Sequence, residues 1–132
     1  MDKTVVRSEI LYRAVKRSQP DTIDEHGKPT PALFKDDNGV SVDRDGGRFE
    51  PEIIDCFKNR FGPRFKALFC FGADICLDNN MAVIPDHDYH AEIFDDFQKT
   101  PLSSLKALVL ADSCKAVTFE SNIAWVSPIK KV

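Results

Sequence analysis

Apolar positions recur along this chain in two periods, and the period changes where the elements change. From Ile10 to Val15 the run ILYRAV divides into two faces, with Ile10, Tyr12 and Ala14 on one and Leu11, Arg13 and Val15 on the other, as a strand requires. GVSVD at 39–43 alternates in the same way, sending Val40 and Val42 inward and Ser41 and Asp43 to the opposite side. Over residues 51–61 the spacing becomes helical, and Ile53, Ile54, Phe57 and Phe61 form one apolar stripe. Pro51 suits the first turn, and Glu50, Glu52 and Asp55 complement the positive N-terminus. Lys58 and Arg60 fall in the last turn, and Gly62-Pro63 stops the helix.

Lys66 to Phe71 reads as a buried strand. Residues 72–80 fit a short helix or a strand and turn equally well. Met81–Ile84 and Tyr89–Phe94 read as two strands joined by Pro85–Asp88. Thr100-Pro101 has the pattern of an N-cap and a first-turn proline, which predicts a helix running to about Ser113. Leu102, Leu105, Leu108, Val109 and Ala111 leave that helix a narrow polar side, so it is expected to be largely buried. Ala116–Phe119 and Ile123–Val126 predict a closing hairpin around Glu120-Ser121-Asn122, with an edge open to a second copy.

The connections carry their own signals. Residues 1–9 are polar and expected to be loosely held. Pro20, Gly27, Pro29 and Pro31 make 16–31 a long surface loop. Ala32–Lys35 reads as a short turn, Asp36–Gly39 as a tight one, and Gly46-Gly47 as part of a further loop. The strands do not alternate regularly with helices. The expected fold is therefore α+β: a single compact domain over 1–132, with a mostly antiparallel sheet of five or more short strands and two main helices.

Composition narrows the function classes. With 18 basic and 21 acidic residues the formal charge is −3, too balanced for nucleic-acid binding through bulk charge. Arg7, Arg13, Lys16 and Arg17 form a local basic group, read as a solvated edge. No basic start leads into an apolar stretch, and no run reaches the roughly 20 apolar residues of a membrane span. The expected location is the cytoplasm, with no membrane partner. Cys56, Cys70, Cys76 and Cys114 form no CxxC pair and match no zinc spacing, so buried free thiols are expected. Cys70 and Cys76 lie in apolar surroundings that make a thiol inert.

Three constellations carry possible chemistry. On an extended chain Asp86, Asp88, His90 and Glu92 share a face, where they can hold a divalent metal or act as acid and base. The alternative is the solvent face of an edge strand, with Tyr89, Ala91 and Ile93 inward. A metal site there needs further ligands, and His26 is the only histidine outside this segment. Arg13 sits among apolar neighbours, so it either pairs with an acidic residue or clamps a ligand phosphate or carboxylate; the structural pair is the more economical reading. Ser41, Asp43 and Arg44 lie together in GVSVDRDGG, where Ser41 lacks the Gly-x-Ser-x-Gly elbow and the glycine pair resembles no phosphate loop.

LYRAV, PTPALFKDDNGVSVDR, a helix and VIPDHDYHAEIF occur here in that order. The order resembles a small uncharacterised bacterial protein family, with a Leu-Tyr-Arg-Arg-Val-like early strand, a segment ending Leu-Ser-Val-Asp, and a late proline followed after four residues by His-Ala. The corresponding residues are Leu11-Tyr12-Arg13, Val40 to Asp43, and Pro85 through His90-Ala91, so the resemblance spans 10–94. It implies no activity, but it does imply that Arg13, Ser41, Asp43 and His90 share a site. Arg13, Ser41 and Glu92 also follow the order found in ADP-ribosyltransferase-like folds. That similarity implies an arginine on an NAD phosphate, a serine orienting the nicotinamide side and a glutamate steadying the ribose. The chain has neither the Ser-Thr-Ser strand nor the Glu-x-Glu or Gln-x-Glu turn of those folds.

Three function classes follow, in descending order. The first is a binding or interaction module without catalysis, with a protein among its possible partners and no cofactor. The second is an enzyme on a nucleotide or nucleic acid, with Arg13, Ser41, His90 and Glu92 catalytic and NAD as the cofactor. In either case Arg13, Asp43 and Arg44 are the candidate ligand-binding residues. The third is a divalent-metal protein using Asp86, Asp88 and His90.

Overall fold

Continuous burial along FKALFCFG places the strand Phe65–Gly72 between two apolar layers, and the rest of the domain is arranged around it. The computed structural model describes residues 4–120, and the expected strand at Ile123–Val126 lies outside them. Six strands form one sheet: β1 (Ile10–Lys16), β2 (Val40–Arg44), β3 (Phe65–Gly72), β4 (Ala82–His87), β5 (His90–Phe94) and β6 (Lys115–Phe119). Their order is β4-β5-β2-β1-β3-β6, and every pairing is antiparallel. Helices α1 (Glu50–Phe61), the short α2 (Ala73–Asp78) and α3 (Ser104–Ser113) complete the α+β domain. Among the described residues β6 is an edge of this sheet, as is β4.

The period of two divides the side chains between two cores. Leu11, Val15, Val40, Val42, Phe69, Phe71, Ala91 and Ile93 point to one face, where they pack with Leu33, Phe34, Ala107, Leu110 and Ala111. Tyr12, Ala14, Leu68 and Cys70 point to the other and meet Ile53 and Phe57 of α1. This second core draws on β1, β3 and α1, with Val117 of β6 at its margin. One helix therefore covers half of a six-stranded face, and the β2-β5-β4 half lies beside it as the floor of a groove.

Several local expectations are corrected. Residues 5–9 are tied down: Val5 is buried, Glu9 pairs with Arg44, and the Ala73 N–H donates to the Glu9 carbonyl. The 16–31 connection is partly packed, with Thr22 and Ile23 buried and Ile23 bridged to Pro29. α3 begins at Ser104, capped by the Ser103 hydroxyl, which accepts from the Lys106 N–H. Thr100 instead belongs to the preceding turn, where its carbonyl accepts from the Asp95 N–H. α3 is also less buried than its composition suggests, since Leu105 and Leu108 are exposed. The β4–β5 connection is not Pro85–Asp88. β4 runs on through Pro85 to His87, and Asp88-Tyr89 make the turn, with Tyr89 at a φ of 59°. Proline is tolerated here because β4 is an edge strand.

Candidate functional site

The register of β2 against β5 sets out the groove floor. Ser41 lies opposite Glu92 and Asp43 opposite His90, so these four side chains share the face that α1 leaves open. A cavity of about 470 Å³ lies between this floor and α1, lined by Asp43, Arg48, Cys56, Arg60, His87 and His90 among others. A smaller one of about 60 Å³ shares Asp43, Arg60 and His90 with it and adds Arg13, Lys16 and Ser41. Glu92 is on the same face but outside both linings.

Asp43 is the pivot. Its carboxylate is buried, and Arg60 from the last turn of α1 donates to both of its oxygens, at 3.1 and 3.0 Å. Arg48 approaches the same carboxylate at 3.8 Å. Arg48 is held by the Asp45 and Arg44 carbonyls and lies 3.9 Å from the centre of the Tyr89 ring. That stacking, with the Arg44 N–H donating to the Tyr89 carbonyl, holds Tyr89 in its left-handed conformation. The Asp43 hydrogen bond keeps the Arg60 guanidinium above its ordinary pKa, against the opposing effect of burial.

Positive charge collects at the α1 end of the groove. Lys16, Arg64 and Arg60 surround the Phe61 ring at 5.0, 5.5 and 5.8 Å from its centre. Burial pushes the Lys16 ammonium below its usual range, and the charges of Arg13 and Arg64 push it further. Among the charged residues lining the two cavities, Arg13, Lys16, Arg48 and Arg60 face only Asp43 and Asp88. The local balance is positive in a chain whose formal charge is −3.

The acidic partner expected for Arg13 is replaced by main-chain carbonyls. β1 and β2 pair only through Leu11–Arg44 and Tyr12–Asp43 before they diverge. The Arg13 guanidinium fills the gap, donating to the Leu33 carbonyl at 3.1 and 2.9 Å and to the Ser41 carbonyl at 2.9 Å. Burial lowers its pKa, and the nearby Asp36 charge opposes that shift. Arg13 reaches the groove only at the small cavity, whereas Arg60 lines both.

Arg44, expected beside Ser41 and Asp43 as a ligand residue, turns to the opposite face. It is 2% exposed and donates to both Glu9 oxygens, at 2.7 and 2.8 Å. The four-residue array Asp86, Asp88, His90 and Glu92 is likewise not formed, because the chain reverses at Asp88-Tyr89. Asp86 and His90 nevertheless meet across the hairpin, at 2.5 Å. Partial burial acts to raise the Asp86 pKa, but the His90 hydrogen bond and the nearby imidazoles outweigh it and hold the carboxyl below its usual range. The cysteines are all free thiols, with Cys70 and Cys76 buried, and burial pushes the Cys76 and Cys114 thiols up to about 12. Cys56 borders the groove, where Arg48 lies 3.8 Å from its sulfur.

Arg48, Arg60 and Lys16 carry the charge of this groove, and the sequence marks them weakly. Arg60 reads as a helix-end charge and Lys16 as part of a solvated basic edge. Their convergence on Asp43 and Phe61 depends on tertiary packing. Among the described residues no helix is long and apolar enough to cross a membrane. No protein-family model matches this chain, and no curated protein or solved structure matches it significantly.

Proposed function

We propose that this domain is a cytoplasmic binding protein for a small phosphate-bearing ligand of the nucleotide class, held in the groove between α1 and the β2–β5–β4 face. The observation that carries the reading is the cluster of Lys16, Arg60 and Arg64 around Phe61, beside a cavity of about 60 Å³ that shares Asp43, Arg60 and His90 with one of about 470 Å³. Pockets for small ligands span about 300–1,000 Å³. Like charges gathered on one ring repel each other, and an anion bound among them relieves that repulsion. Arg60 supports the role by its donor count. Asp43 takes one N–H from each terminal nitrogen, and a guanidinium has about five such donors, so its outer edge can reach a phosphate. Four free thiols fit a reducing compartment.

Titration calorimetry with adenosine, AMP, ADP, ATP and NAD tests the proposal. Affinity should rise with phosphate number and fall at least about tenfold in Lys16→Ala and Arg60→Ala, matching the loss of one charge-assisted contact of ~1.5–3 kcal/mol. Binding that is equal for adenosine and ATP would contradict it. Release of nicotinamide from NAD would move the domain to the enzyme class, with Ser41 and Glu92 as the first residues to substitute.

A further inference from the structure

The β4–β5 hairpin has a second feature that the anion groove does not use. β4 carries a bulge between Pro85 and His87: Pro85 pairs with Ala91 and His87 with His90, leaving Asp86 as the extra residue. In a regular strand Asp86 and His87 would point to opposite faces. The bulge turns Asp86 to the side of its neighbour, as bulges do when they re-aim a side chain. Asp86, His87 and His90 therefore converge, and one ligand-type atom from each lies within 4.8 Å of the others. The two imidazoles stack with centroids 4.5 Å apart and planes 7° from parallel. The Asp86 Oδ1 atom sits 2.5 Å from His90 Nδ1 and 4.0 Å from His87 Nε2.

We infer that Asp86, His87 and His90 form a binding site for a divalent transition metal at the mouth of the groove. Two imidazoles and one carboxylate are a ligand set for zinc and its neighbours, and three protein ligands leave a coordination position open. Zinc bonds of about 2.0–2.1 Å place tetrahedral ligand atoms about 3.3 Å apart. The present separations of 2.5 and 4.0 Å lie on either side of that value. The two imidazole planes are now nearly parallel, so rotation of the rings at this exposed hairpin tip, turning each ring plane towards the ion, would assemble the site. His87 and His90 also line the larger cavity, so the open position faces the cationic groove. A phosphate oxygen of a bound nucleotide would complete the coordination; that part rests on the anion-binding reading, whereas the metal site itself does not.

Calorimetry and equilibrium dialysis with zinc chloride in phosphate-free buffer test the inference. The wild-type chain should take up one zinc ion. Asp86→Asn, His87→Ala and His90→Ala should each weaken uptake at least about tenfold, as expected for loss of a ligand. Asp88→Asn and Cys56→Ser should leave it unchanged. These groups lie at the surface or the groove rim, and an unchanged melting temperature for each variant confirms that its fold is intact. Absence of zinc uptake by the wild-type chain would overturn the inference, as would uptake that survives the His87→Ala/His90→Ala double substitution. The nucleotide titration, repeated in EDTA, separates this failure from failure of the groove reading.

Discussion

Asp43 on β2 and Arg60 in the last turn of α1 are joined by two hydrogen bonds of 3.1 and 3.0 Å, which tie the helix to the half of the sheet it does not cover. The pair fixes the width of the groove and aims a guanidinium across it. The carboxylate is buried and the guanidinium half-exposed, so one side of Arg60 is committed to the fold while the other faces solvent. An arginine so divided can recognise a ligand without having to be ordered first.

On this reading Arg13 should contribute more to stability than to ligand binding. Its guanidinium replaces the ladder where β1 and β2 diverge, bonding the carbonyls of Leu33 and Ser41. Arg13→Met leaves both carbonyls without this donor and should cost ~2–3 kcal/mol in denaturant unfolding. Nucleotide affinity should change less than threefold at temperatures where the variant is folded. Arg13→Lys should not restore stability, because one ammonium does not span both carbonyls as the planar fork does.

Acid should weaken the domain through Glu9. Burial acts to raise its pKa, but the Arg44 hydrogen bond, the Val6 N–H and the Arg44 charge outweigh that effect, so the folded value lies below the ordinary one. The unfolded chain then binds the proton more tightly. The stabilisation is present at neutral pH and is lost as the pH falls below about 4.3 towards the lowered folded value. Glu9→Ala should cost ~3 kcal/mol near pH 7, since it removes one partner of a buried pair. The difference from wild type should shrink in chemical unfolding curves measured at successively lower pH below 5.

Gly39 is required for two reasons. Its φ is 99°, and a Cβ added there would lie 2.5 Å from the Phe94 ring. Gly39→Ala should therefore destabilise the domain by ~2 kcal/mol or more, combining backbone strain of ~1 kcal/mol with the overpacking of a buried phenyl. The fall in thermal midpoint measures it. The neighbouring substitution Asp37→Ala, at an exposed turn position, should be close to neutral.

Much of the frame was legible because it rests on local patterns. The Ile53–Phe57 stripe, the Val40/Val42 alternation and the turn at Asp36–Gly39 each declare themselves within a few residues. The hairpin was less legible. Proline at 85 argues for a loop unless the strand is known to be an edge, and an aromatic residue is an unusual occupant of the left-handed turn position that Tyr89 holds. That turn converts the expected row of Asp86, Asp88, His90 and Glu92 into the cluster of Asp86, His87 and His90. Strand alternation sets Ser41 and Asp43 on one face of β2 and His90 and Glu92 on one face of β5, and the pairing of the two strands brings them together on the groove floor. Lys16, Arg48 and Arg60 were not legible as site residues, because their meeting point depends on where α1 lies across the sheet.

An amide chemical-shift titration of the isotopically labelled protein with ADP tests the groove most directly. The account predicts saturable shifts grouped at Lys16, Ser41, Asp43, Arg60 and His90, with apparent affinity falling steeply as salt is raised from 50 to 200 mM, both about as expected for screened charge contacts. Shifts that map to α3 or β6, or an unperturbed spectrum at millimolar ADP, would contradict it.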